Sequence, residues 1–170
     1  QVVGIFDEVP APQNYKYWKV PGEAKPVAIA EGRLWLDSEY SRVIVLVCNE
    51  TRTECSLLRG AQSEESLSPW SGTLLPSDFN PRGIFFDTAM TMTALTVCVY
   101  GNGLICFRDG WEEKIAITSS LRLDHVTISP LWSLAVGEQG RWFKRIMDGS
   151  GGIGTWSEQI PLGTASLDYA

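Results

Sequence analysis

The residues best placed for chemistry are four cysteines in two close pairs, Cys48 with Cys55 and Cys98 with Cys106. The first pair brackets Asn-Glu-Thr-Arg-Thr-Glu and the second Val-Tyr-Gly-Asn-Gly-Leu-Ile. A two-residue turn at Thr51-Arg52 would set Cys48 opposite Cys55. A three-residue turn at Gly101-Asn102-Gly103 would set Cys98 opposite Cys106. Facing residues in a hairpin lie about 4.5–5.5 Å apart, within disulfide reach. The spacing therefore predicts two disulfides, Cys48–Cys55 and Cys98–Cys106, against the alternative of four buried free thiols. Zinc is a poorer use of these thiols, because the sole histidine is His125 and no CxxC is present. No metal and no cofactor are expected.

Other reactive side chains form no catalytic motif. His125 opens a strand-like segment, and no G-x-S-x-G accompanies it, so a nucleophilic triad is not expected. The acidic pairs Glu64-Glu65 and Glu112-Glu113 are adjacent in sequence. Neighbours on a strand point to opposite faces, which suits solvation better than a glycosidase pair. The glycine-rich run Gly151-Gly152-Ile153-Gly154 leads into no helix, so it reads as a flexible loop rather than a phosphate cradle. The catalytic residues are thus unknown. One modification motif does stand out, the N-glycosylation sequon Asn49-Glu50-Thr51.

The elements that must position these groups are strands. Apolar alternation runs for four to nine residues between Gly, Asn, Asp, Ser and Pro, and no long amphipathic helix is present. Hairpins are expected over Val43–Leu58, Leu95–Arg108 and Trp132–Met147. A Trp followed four residues later by Ile or Leu recurs at Trp70, Trp111 and Trp156, spaced 41 and then 45 residues apart. That is the period of a four-stranded propeller blade. The expected architecture is a single all-β, propeller-like domain over 1–170, with antiparallel four-stranded blades near 26–76, 82–118 and 124–162. Two terminal strands, Val2–Val9 and Tyr15–Val20, belong to a partial further blade.

The recurring Trp residues have two readings. Repeated Trp is commonly packing between blades, and an aromatic face also stacks on a sugar or an apolar molecule. Trp70, Trp111 and Trp156, with Arg42 and Arg145, are the candidate ligand-binding residues. Arg108 and Arg141 also lie close to Trp residues in sequence.

Ser41-Arg42-Val43-Ile44, the hairpins and the trailing Trp residues resemble the fungal fucose-binding lectin propellers. There each blade carries Arg on one strand, Glu on the next, and a Trp after a Gly-rich loop. The resemblance implies a propeller in which Arg and Glu hold sugar hydroxyls and an aromatic ring packs on the sugar's apolar face. The present chain departs from that clamp. Cys106 stands where the second unit would carry Glu, Leu95-Thr96 where it would carry Arg, and Trp142-Phe143-Lys144 in the third unit. Three expectations follow. The first is a secreted, lectin-like binding module for a glycan or small ligand. The second is an enzyme on a lectin-like propeller that converts an apolar small molecule, such as a hetero-Diels–Alderase in fungal secondary metabolism. The third is a secreted effector or interaction protein.

Three blades and a fraction leave a ring open. The termini completing a fourth blade, a homodimer completing a ring, or a longer propeller would each resolve this. The formal net charge is −6 with no run of Lys or Arg, which argues against nucleic-acid and anionic-membrane partners. The paired cysteines, the sequon and a start at Gln1, as a cleaved leader would leave it, point to the secretory route.

Overall fold

The computed structural model of the chain describes residues 2–5, 16–33, 41–60, 65–87, 96–108, 112–128, 132–146 and 155–159. These form twelve strands and one short 3₁₀ turn, Glu138–Gly140. Strands β1 (Val2–Ile5) and β2 (Lys16–Lys19) pair as an antiparallel hairpin. Strands β3 (Lys25–Arg33), β4 (Ser41–Cys48), β5 (Cys55–Gly60) and β6 (Ser68–Leu74) form a four-stranded antiparallel meander. That sheet coincides with the first expected blade.

The remaining strands form one sheet. They are β7 (Gly83–Phe86), β8 (Thr96–Arg108), β9 (Glu112–Ile128), β10 (Trp132–Gly137), β11 (Trp142–Ile146) and β12 (Trp156–Glu158). Their order is β12-β11-β10-β9-β8-β7. Strand β8 doubles back on itself: its first arm pairs with β7 and its second with β9. The Cα atoms of Cys98 and Cys106 are 4.0 Å apart, whereas eight residues of straight strand would separate them by about 26 Å. The expected hairpin is therefore present.

The boundary expected between the second and third blades falls inside a continuous extended run. The expected end of the second blade near 118 and start of the third near 124 both lie within β9, Glu112–Ile128. Its first part closes the second unit against β8 and its second part opens the third against β10. Between the pairs Leu104↔Ile117 and Asn102↔Arg122 the chain advances two positions on β8 and five on β9. Such a bulge bends a strand without ending it, so one strand serves both units. Among the described residues no sheet closes on itself.

The units stack face to face, and the sequence of β4 shows why. On a strand, alternate residues face opposite sides. Val43, Val45 and Val47 pack with Trp18, Val20, Leu58 and Leu67. Ile44, Leu46 and Cys48 pack instead with Val97, Val99, Ile105 and Phe107 of β8. The other face of β8, with Cys98, Leu104 and Cys106, packs with Leu123, Val126, Ala135 and Phe143. A strand sandwiched between neighbours is apolar on both faces, so Arg42 is followed by an unbroken apolar run rather than an alternation. The β1–β2 hairpin caps the outer face of the first sheet. Trp18 lies there across Gly60, where an added Cβ would stand 2.8 Å from the indole.

Both disulfides form as the spacing predicts. Each lies on the face its unit turns toward the next one. Cys48 and Cys55 belong to the core shared by the first and second units. Cys98 and Cys106 belong to the core shared by the second and third. The first hairpin does not use the expected two-residue turn. Asn49 N–H donates to Glu54 O at 2.9 Å and Arg52 N–H to Asn49 O at 3.1 Å, so the reversal spans 50–53. Arg52 takes the left-handed conformation there, with φ at 57°.

Two disulfides fit an oxidising, secreted environment. No helix among the described residues is long and apolar enough to cross a membrane. Each bridge closes a short loop, for which chain entropy gives about 2–3 kcal/mol. Replacing Cys98 and Cys106 by alanine should lower the unfolding free energy by about that amount. Chemical denaturation of the variant against the parent, both without reductant, measures it.

Candidate functional site

Two of the residues singled out by sequence meet at the seam between the second and third units. Arg145 on β11 and Trp156 on β12 are cross-strand partners, and the guanidinium lies 5.1 Å from the indole centroid. Arginine over an indole face is a favourable cation–π arrangement. Arg145 is 1% exposed, and a charge so deeply buried needs a partner. Its partner is Asp87, just beyond β7, at the same 1% exposure. Arg145 Nη1 donates to Asp87 Oδ2 at 2.5 Å and Nη2 to Oδ1 at 2.8 Å, a two-pronged pair. Nη2 also donates to Ser133 Oγ at 2.9 Å, across the β10–β11 ladder.

The ladder explains the convergence. Phe143 and Arg145 alternate along β11, with Arg141 just before it, and face the second unit with Ala135 and Ser133. Asp87 is held at the facing edge by its N–H donating to Thr96 O at 2.9 Å. Two polar atoms at this seam, Arg145 Nε and Thr96 Oγ1, are buried without a hydrogen-bond partner among the described residues. The ion pair spans 58 residues of sequence and ties the start of the second unit to the third strand of the third.

Toward solvent the same face carries a second pair. Arg141 Nε and Nη2 donate to Glu158 Oε1 and Oε2 at 2.5 and 2.8 Å. These bonds hold the Glu158 carboxyl below the usual carboxylate range and raise Arg141. The two side chains are 34% and 40% exposed, so solvent screens the pair and it adds little stability. Trp156 and Glu158 are alternate residues of β12 and share one face. Trp156 is half-buried there. The rim of the seam thus joins an accessible indole to a hydrogen-bonded charge pair. A ring of this kind packs on C–H groups, and the charged pair exchanges hydrogen bonds with hydroxyls.

The other sequence candidates lie elsewhere. Trp70 on β6 is 7% exposed in the core between the first two units, so it serves packing rather than presenting a face. Arg42 sits on β4 in the first sheet, opposite Gly32. Trp111 lies outside the described residues. Asn49 stands in the β4–β5 turn. His125 is exposed, with Nε2 3.1 Å from Thr127 Oγ1. Among the described residues, no three His, Cys, Asp or Glu side chains gather where they could hold a metal ion. Asp87, Ser133 and Glu158 were not anticipated. An isolated acid after Ile-Phe-Phe was the only local signal for Asp87. No family model matches the chain, and no curated protein matches it.

Two outcomes are expected. Arg145→Met takes the guanidinium away from the buried Asp87 carboxylate, which should cost about 3–5 kcal/mol. Adding Asp87→Leu should recover much of this, and denaturant melts of the double-mutant cycle read the coupling. A strictly additive cycle would show that the pair is not coupled. The Glu158 carboxyl is depressed in the folded state, so its contribution is present above the unfolded carboxylate range. That contribution is lost as pH falls through the folded value. An NMR titration should place the Glu158 midpoint below that of a free glutamate, and Arg141→Gln should return it upward.

Proposed function

We propose that this protein is a secreted, lectin-like binding module of propeller type that takes a glycan at the seam between its second and third units. The observation that carries this reading is the half-buried Trp156 beside the Arg141–Glu158 pair on one face of an edge strand. A sugar offers an apolar C–H face and a ring of hydroxyls, and this rim offers a partner to each. The deeper Arg145 and Asp87 then serve as foundation. They are paired with each other and sealed from solvent, and they hold Trp156 from beneath.

The reading differs from the clamp implied by the lectin resemblance. There an Arg meets the sugar directly, whereas here the buried Arg145 already meets Asp87. The half-buried Arg141, nearer the rim, takes that part instead. Secretion is supported by the paired disulfides, and ring closure, by the termini or by a second copy, would bury the open edges.

A glycan array followed by calorimetry on the binders provides the test. At least one simple glycan should bind, and Trp156→Ala should weaken it tenfold or more while circular dichroism stays unchanged. Binding that survives Trp156→Ala would move the site off the seam. An array without a single binder would sink the glycan reading.

A further inference from the structure

The turn that carries the sequon opens onto a groove, and the two together suggest a use. The groove has a volume of about 680 Å³ and lies at the turn end of the first sheet, within the range of small-ligand sites, about 300–1,000 Å³. Lys25 at the start of β3 and Leu74 at the end of β6 flank it, as outer strands on either side of the β4–β5 turn. Asn49, Glu50 and Glu54 line it from the turn itself. Leu74 is 64% exposed, the most exposed large apolar side chain among the described residues.

The Asn49 amide is held in one orientation. Its Oδ1 accepts from Thr53 N–H at 3.0 Å, Glu54 N–H at 3.3 Å and Thr51 Oγ1 at 3.2 Å. Its Nδ2 donates to Thr53 Oγ1 at 3.0 Å. A primary amide nitrogen carries two hydrogens. One serves Thr53, and the other is available for substitution without loss of that bond.

We propose that Asn49 carries an N-linked glycan whose first sugars lie in this groove, over Leu74. In the transfer, Asn49 Nδ2 attacks the anomeric carbon of a lipid-pyrophosphate-linked oligosaccharide. The N–C bond forms, the C–O bond to pyrophosphate breaks, the pyrophosphate leaves with the bonding electrons, and Nδ2 loses one proton. The Lys25–Glu50 ion pair, 2.7 Å long and open to solvent, lies at the groove to meet sugar hydroxyls. The sugar's C–H face covers Leu74, which otherwise stays in water at a cost in apolar exposure. This glycan is covalent and sits on the first unit, so it is independent of the ligand proposed for the seam.

The test is expression of the chain through a eukaryotic secretory pathway. The product should carry a mass shift that an amidase removes, leaving Asp at position 49 in the peptide map. Thr51→Ala should abolish the shift and Thr51→Ser should retain it. Both leave Asn49 and its bonds to the 53–54 backbone in place, and a thiol count confirms that both disulfides have formed. An unshifted parent protein, or a shift that survives Thr51→Ala, overturns the site. With Asn49 occupied, nuclear Overhauser contacts are expected between the first sugar and the Leu74 methyls. Their absence overturns the seating in the groove.

Discussion

Burial of β4 and β8 on both faces is the constraint on which the rest of the structure depends. Neither strand has a solvent side. The odd-numbered valines of β4 belong to one core and its even-numbered residues to another, and β8 divides its side chains in the same way. A slip of one residue in either strand would exchange the two cores, so register is specified twice over. The disulfides add a covalent lock at the same point in successive units. They fall between Cys48 and Cys55 and between Cys98 and Cys106, each turned toward the following unit.

Stacking of this kind confines polar chemistry to the seams and rims. A charge inside a seam has to bring its own counter-charge, and Asp87 and Arg145 do so from distant parts of the chain. Their burial makes them poor ligand groups and good supports, since the fork of the guanidinium is already filled. The next pair outward, Arg141 with Glu158, is screened by water and contributes little to folding. That leaves its hydrogen bonds open to exchange with water. Depth in the seam thus sorts two chemically similar pairs into different roles.

Continuity of β9 has a related effect. A bulge between Ile117 and Arg122 lets one strand end the second unit and begin the third. The two units then share a continuous stretch of extended chain as well as a core. The first sheet meets its neighbour by side-chain packing, without such a shared strand.

Strand content, the three hairpins, both disulfides and the terminal strand pair were legible in the sequence. Each rests on local pattern: period-two alternation, turn residues, and cysteine spacing across a short loop. Arg145 and Trp156 are ligand-binding candidates in the sequence, Trp156 from the repeat and Arg145 from its closeness to Trp residues, and the ladder sets the two side by side. Asp87, Ser133 and Glu158 were not, since their partners lie across ladders or in another unit. Nor could spacing separate Trp70 from Trp156. They hold equivalent places on the outer strand of their units, yet the first is covered by the next unit and the second is only half-buried. The sequence by itself determined which segments pair locally, because hairpin register depends on neighbouring residues. Only the tertiary structure decided which charges are sealed in and which indole is left open, because burial depends on what the other sheets cover.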